Sequence, residues 1–129
     1  MPPMPGLRGS ATHTVTDADT AISLHSGEVA VLGTPRLVAL MEEATVQALM
    51  GSLPSAETSV GMRIHIDHIA PTAPGADVTA EALLEGVEGR RLTFGVTATV
   101  DKTVVATANI TRVVVETRRF LSRIDVDAD

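Results

Sequence analysis

A single long stretch of this chain has a helical period, and almost everything after it alternates with the period of a strand. Thr34 reads as an N-cap, and Pro35 sits at the first helical position, where proline is tolerated. Gly51 and Pro54 close the segment. Between them Leu37, Leu40, Met41, Ala44 and Ala48 form an apolar stripe at spacings of three and four. About seventeen residues at ~1.5 Å each give a helix of roughly 25 Å, long enough to cross a sheet.

The rest reads as strand. Ala11 to Thr16 alternates loosely and is rich in Thr and Val. In Val60 to His68, the residues Val60, Met62, Ile64, Ile66 and His68 face one way, with Gly61, Arg63, His65 and Asp67 opposite. Pro71, Pro74 and Gly75 break the chain. Val78 to Leu84 and Leu92 to Val100 alternate again. The last strand starts with Val104, Ala106, Ala108 and Ile110 inward, and Val113 to Val115 blurs its period, as a bulge would. The short links Glu88-Gly89-Arg90 and Asp101-Lys102 suit an antiparallel meander.

The expected architecture is therefore α+β, one long central helix packed on a five-stranded antiparallel sheet. Residues 11–120 are assigned to one domain, residues 1–10 to a disordered Pro/Gly-rich tail and residues 121–129 to an acidic tail. One helix cannot cover a sheet that wide, so a homodimer is the physical expectation.

Composition removes several functional classes. The chain has 129 residues and no cysteine, so disulfides and thiolate nucleophiles or ligands are excluded. Its first residues, MPPMPGLRGS, lack a secretory signal, and no run reaches the ~18 apolar residues of a membrane span. A cytoplasmic location without a membrane partner is expected. Ten Lys+Arg stand against sixteen Asp+Glu, and the only aromatics are Phe94 and Phe120. Such a chain offers little to a phosphate backbone or to stacked bases, which argues against nucleic acid.

Four features carry possible chemistry. Glu42 lies at the margin of the apolar stripe beside Val38, Thr45, Val46 and Leu49, whereas Glu43 is on the wet side; a carboxylate against apolar neighbours can act as a general base. An ordinary boundary glutamate fits the same pattern. His68 ends an otherwise apolar face just before a Pro-rich break, either reaching a cleft or bonded to backbone within the core. Thr34 caps the helix and also places a hydroxyl at its positive end. Arg90 and Arg91 follow the Gly89 turn, as a solvated hairpin tip or as a contact for phosphate.

His65-x-Asp67-His68 resembles a metal-ligand run, but strand alternation sends His68 away from the other two, so neither metal nor cofactor is expected. G-x-S-x-G, Walker and G-x-G-x-x-G motifs are absent from the sequence. These residues alone do not name a reaction.

Three stretches resemble the fluoroacetyl-CoA thioesterase family of the hot-dog superfamily: T-P-R-L-V-A-L-M-E-E-A (34–44), S-V-G-M-R-I-H-I-D-H-I-A-P-T-A-P-G (59–75) and V-E-G-R-R-L (87–92). The resemblance implies a hot-dog fold and hydrolysis of a short acyl-CoA, with Thr34, Glu42 and His68 as the catalytic set. It further implies that the backbone N–H of Gly61 faces the thioester oxygen. Phenylalanines precede the helix in the family's selective member. Here residues 25–32 read H-S-G-E-V-A-V-L, so a general short acyl group is expected rather than a fluorinated one. The competing readings are a hot-dog hydratase or dehydratase and a non-catalytic acyl-CoA-binding domain.

Overall fold

The computed structural model describes residues 2–124. The strands are β1 (Arg8–Thr14), β2 (Glu57–His68), β3 (Asp77–Glu88), β4 (Arg91–Val100) and β5 (Thr103–Glu116). They form one antiparallel sheet in the order β1-β3-β4-β5-β2, with α1 (Thr34–Ala48) lying across it. A 3-10 turn (Asp17–Asp19) follows β1, and a short helix α2 (Thr117–Leu121), absent from the sequence reading, follows β5.

The apolar stripe read from the sequence is the buried face of α1: Leu37, Leu40, Met41, Ala44 and Ala48, with Thr45 beside them. Beneath it the sheet presents Ala80, Ala82, Leu84, Phe94, Val96, Ala98, Ala106 and Ile110, all buried. Small residues let helix and sheet approach closely. Gly9 marks the tightest contact, since a Cβ there would overlap the backbone of Ala44 and Ala48.

Several boundaries move. β1 begins at Arg8 rather than Ala11, and the Gly6 N–H donates to the Leu84 carbonyl at 2.8 Å, so residues 6–10 belong to the sheet edge and not to a tail. Leu121 closes α2, and residues 125–129 of the expected acidic tail lie outside the described residues. Gly33, not Thr34, is the N-cap of α1, and no side chain caps it.

The expected bulge at Val113 to Val115 is also displaced: those residues stay in register with Val60, Ser59 and Thr58. The β4–β5 shift falls at Val105, which leaves Val104 exposed and buries Val105 beside Ala106. A second shift, at Met62, turns Gly61 to the same face as Ile64, Ile66 and His68. Each extra residue inverts the parity of the strand beyond it, which a strict period of two misses.

Among the described residues the outer edge of β2 is unpaired. Apolar surface is exposed beside it at Met62 and Ile69, on α1 at Val46 and just past α1 at Met50.

Replacing Gly9 with Val forces β1 and α1 apart. The variant should lose about 1–3 kcal/mol of unfolding free energy in urea, with far-UV dichroism unchanged.

Candidate active site

At the start of α1 the helix meets the end of β2. Freed from capping, the Thr34 hydroxyl is 2.8 Å from Nδ1 of His68. The Nε2 atom of the same ring is buried and has no hydrogen-bond partner. A buried, unpaired ring nitrogen is costly, and among the described residues the Thr72 hydroxyl is the other buried side-chain atom in that state. His65 and Asp67 project from the opposite face, so the run His65-x-Asp67-His68 does not converge, as alternation requires.

A cavity of about 320 Å³ opens beside this pair. Ala21, Val29, Val31, Leu32 and Ala70 line it with Thr34 and His68, and no aromatic side chain takes part. Its cover is the segment between the 3-10 turn and α1. A bridge between Thr20 and Leu32 draws the segment into a loop, and the Ala21 N–H donates to Val31 at 2.8 Å.

Asp19 anchors that loop at its base. Its carbonyl accepts from Gly33 N–H at 2.9 Å, while its carboxylate takes the His13 ring at 2.7 Å, the Thr16 N–H at 2.7 Å and Arg36 at 3.5 Å. Burial pushes this carboxyl up. The hydrogen bonds from the Thr16 backbone, His13 and the Thr16 hydroxyl, with the charge of His13, outweigh burial and hold it at about 2.

Glu42 lies elsewhere. Two turns down α1, it sits directly over Gly61, where a Cβ would overlap its carboxylate. Its setting differs from the apolar one that the helical wheel implied, because Nη1 of Arg112 is 3.5 Å from the carboxylate. Arg112 was missed in the sequence reading, yet it occupies an inward position of β5 between Ile110 and Val114 and is 6% exposed. Its Nε donates to Ser59 Oγ at 2.8 Å and its Nη2 to the Ser59 carbonyl at 3.0 Å. Burial pushes the guanidinium below its ordinary value, and Glu42 opposes that shift. A charged group continuing an inward alternation was the available signal.

Thus Thr34 and His68 are brought together, as are Glu42 and Gly61, but the two pairs stand apart. Eight helical residues separate Thr34 from Glu42, about 12 Å. Seven strand residues separate Gly61 from His68, about 20 Å. Arg90 is farther along the same end as Glu42, where its Nη1 donates to the Val114 carbonyl at 3.3 Å; Arg91 is exposed opposite Val113.

Residues 15–118 match the family model described as fluoroacetyl-CoA-specific thioesterase. The fluoroacetyl-CoA thioesterase of Streptantibioticus cattleyicolor is 36% identical over 94 residues, covering 73% of this chain and 68% of that protein. The chain belongs to this family. A solved structure of the fluoroacetyl-CoA thioesterase FlK superposes with a TM-score of 0.89 at 29% identity, covering 98% of both chains. A hot-dog-like protein from Thermanaerovibrio acidaminovorans gives 0.84 at 28% identity, with 93% and 89% covered. The fold is thus the hot-dog fold, and the enzyme is a thioester hydrolase with acyl-CoA thioesterase activity.

The Asp19 carboxyl is held below its ordinary value of 3.8, so its contribution is complete above that pH and lost as pH falls toward 2. Asp19→Asn should be less stable than wild type by about 1–2 kcal/mol at neutral pH. Urea titrations should show that gap closing between pH 4 and 2.

Proposed function

We propose that the protein hydrolyses a small aliphatic acyl-CoA at a site completed by a second copy of itself, with Thr34, Glu42 and His68 as the catalytic set. The separation of Glu42 from the Thr34–His68 pair carries this reading, since one acyl group cannot meet both within a single chain.

The edge of β2 supplies the means. Antiparallel pairing of two β2 strands about His65 sets Ile64 against Ile66 of the second copy. It also sets Arg63 against Asp67, an opposite-charge pair repeated twice by the two-fold axis. Past the extra residue Met62, Gly61 then faces His68 of the second copy. Glu42, seated on Gly61, thereby approaches the Thr34–His68 pair across the interface. The exposed Met62, Val46 and Met50 are covered in the same step.

Water adds to the thioester carbonyl, the C–S bond breaks, and the acid and CoA leave. Glu42 drives the addition, either as the base that takes the water proton or as the nucleophile of an acyl intermediate. Arg112 and Ser59 hold it in place. Bonded to the Thr34 hydroxyl through Nδ1, the His68 ring turns Nε2 toward the substrate and through it hands the departing thiolate a proton that the hydrolytic water replaces. Backbone N–H groups beside Gly61 stabilise the oxyanion, as such donors do at a few kcal/mol each in other enzymes. The Ala21, Val29, Val31 and Ala70 lining accepts an aliphatic acyl group. Arg90 contributes to holding CoA, and a cytoplasmic location fits that substrate.

Thiol release from a panel of acyl-CoAs tests the reaction, and a chain without cysteine adds no background. Glu42→Gln and His68→Ala should each lower kcat by about 10²–10⁴-fold. Hydration of an enoyl-CoA without thiol release would favour the hydratase reading, and CoA binding without either reaction the binding domain. Co-refolding the two inactive variants in equal amounts should restore about a quarter of wild-type activity, because half the dimers are mixed and each has one intact site. No restoration places the whole site in one chain.

Arg63→Asp should yield inactive monomers in sedimentation, and Arg63→Asp with Asp67→Arg should restore the dimer. An active Arg63→Asp dimer rejects this pairing.

A further inference from the structure

One end of the molecule reverses the sign of the chain. Against a net charge of −6, five of the ten basic residues are Arg90 and Arg91 at the β3–β4 turn and Arg118, Arg119 and Arg123 in or just after α2. Arg90, Arg119 and Arg123 line one cavity of about 200 Å³. Among the described residues none of the three has a carboxylate partner, the ion pairs being His13–Asp19, Arg36–Asp19 and Arg112–Glu42. Glu116 also lines the cavity, but its carboxylate caps α2 by accepting from the Arg119 N–H at 2.7 Å. Asp125, Asp127 and Asp129 follow in the sequence, outside the described residues.

Phe120 stands in the same cavity. The chain has no Trp or Tyr, and its other phenylalanine, Phe94, is 1% exposed in the core. Phe120 is therefore the one aromatic face available at the surface, and the Arg123 guanidinium lies over it, 5.8 Å from the ring centroid. A planar aromatic–guanidinium pair beside two further arginines offers stacking for a flat base and forked donors for phosphate oxygens.

From this combination we infer a seat for the phosphorylated adenine nucleotide of CoA, built from Phe120, Arg119 and Arg123 with Arg90. The inference rests on the thioesterase reading and extends it by assigning residues to the nucleotide end of the substrate. Spacing agrees with it. Glu57 pairs with Glu116, and the Thr117 N–H at the start of α2 donates to the Ala56 carbonyl at 2.9 Å. Four strand residues separate Glu57 from Gly61, which puts α2 about 13 Å from the Glu42–Gly61 pair. An extended pantetheine arm spans roughly 15 Å at the rise of an extended chain. A groove of about 600 Å³, with Leu53, Pro54, Val87 and Leu92 among its walls, shares Arg90 and Val114 with the arginine cavity and gives the arm an apolar bed.

Two measurements test the seat. In the first, the same acyl group is presented to the dimer as its CoA ester, its dephospho-CoA ester and its pantetheine ester. Arg119→Ala with Arg123→Ala should raise KM at least about tenfold for the CoA ester. It should do so less for the dephospho-CoA ester, and leave the pantetheine ester unaffected. Phe120→Ala should weaken both nucleotide esters alike. Lys102→Ala, at the β4–β5 turn, controls for the loss of overall positive charge. Equal losses with all three esters, or no loss with the CoA ester, reject the seat.

The second measurement is calorimetric titration of CoA itself into wild type and the double arginine variant, which needs no turnover. Wild-type binding that the variant loses supports the seat even where no thioester is cleaved. Wild-type binding that the variant retains rejects it while leaving the hydrolase reading intact.

Discussion

The height at which α1 rests on the sheet sets where the side chains of the candidate site fall. Gly9 has no room for a Cβ against Ala44 and Ala48, and Ala80, Ala82 and Ala98 keep the floor low. With the helix pressed down at β1 and β3, its N-terminal turn reaches the end of β2, and the Thr34 hydroxyl meets His68. Glu42 then leans off the far side of the helix over Gly61, where only a residue without a side chain leaves space for a carboxylate. A higher helix would separate both contacts. The same seat leaves the β2 margin uncovered among the described residues, the margin through which the proposed pairing runs.

Polar groups buried by this arrangement are compensated unevenly. Arg112 spends its Nε and Nη2 on Ser59 and turns Nη1 toward Glu42, a buried cation whose neighbours fix its direction. Such a pair is weak evidence for stability, because desolvation offsets most of its attraction. Its value here is positional: the carboxylate is held at the chain's edge. His68, by contrast, keeps one ring nitrogen unpaired. Among the described residues only the Thr72 hydroxyl shares with this nitrogen a buried side-chain position without a hydrogen-bond partner.

The legible part of this design was local. Spacing of three and four exposed the α1 stripe, and alternation separated His68 from His65. The helical wheel put Glu42 rather than Glu43 at the margin, and Glu42 is the one that meets Gly61. Resemblance, rather than pattern, singled out Gly61. Parity was illegible. Met62, Glu85 and Val105 each add one residue to a strand, and nothing in their side chains announces it, so faces read beyond them came out inverted for Gly61 and Val104. The cap was misjudged for a related reason: Thr34 suits an N-cap by propensity, but a long-range hydrogen bond to His68 competes for its hydroxyl, and the backbone of Gly33 takes the cap. Arg112 was overlooked because an arginine in an inward register reads as a strand end unless its partners, 53 and 67 residues away in Ser59 and Thr45, are already in view.

The lining of the cavity beside Thr34 and His68 argues for breadth rather than refinement. A fluorine in place of hydrogen changes the size of an acyl group very little, and an apolar pocket discriminates between near-isosteres by only about 1–3 kcal/mol. Large selectivity requires a group that answers the polarity of the C–F bond. Ala21, Val29, Val31 and Ala70 contain no such group, and the polar side chains of the lining are Ser26, Thr34 and His68. On the proposed reading, the charge gathered around Phe120 adds recognition of the substrate's other end that this apolar lining does not supply.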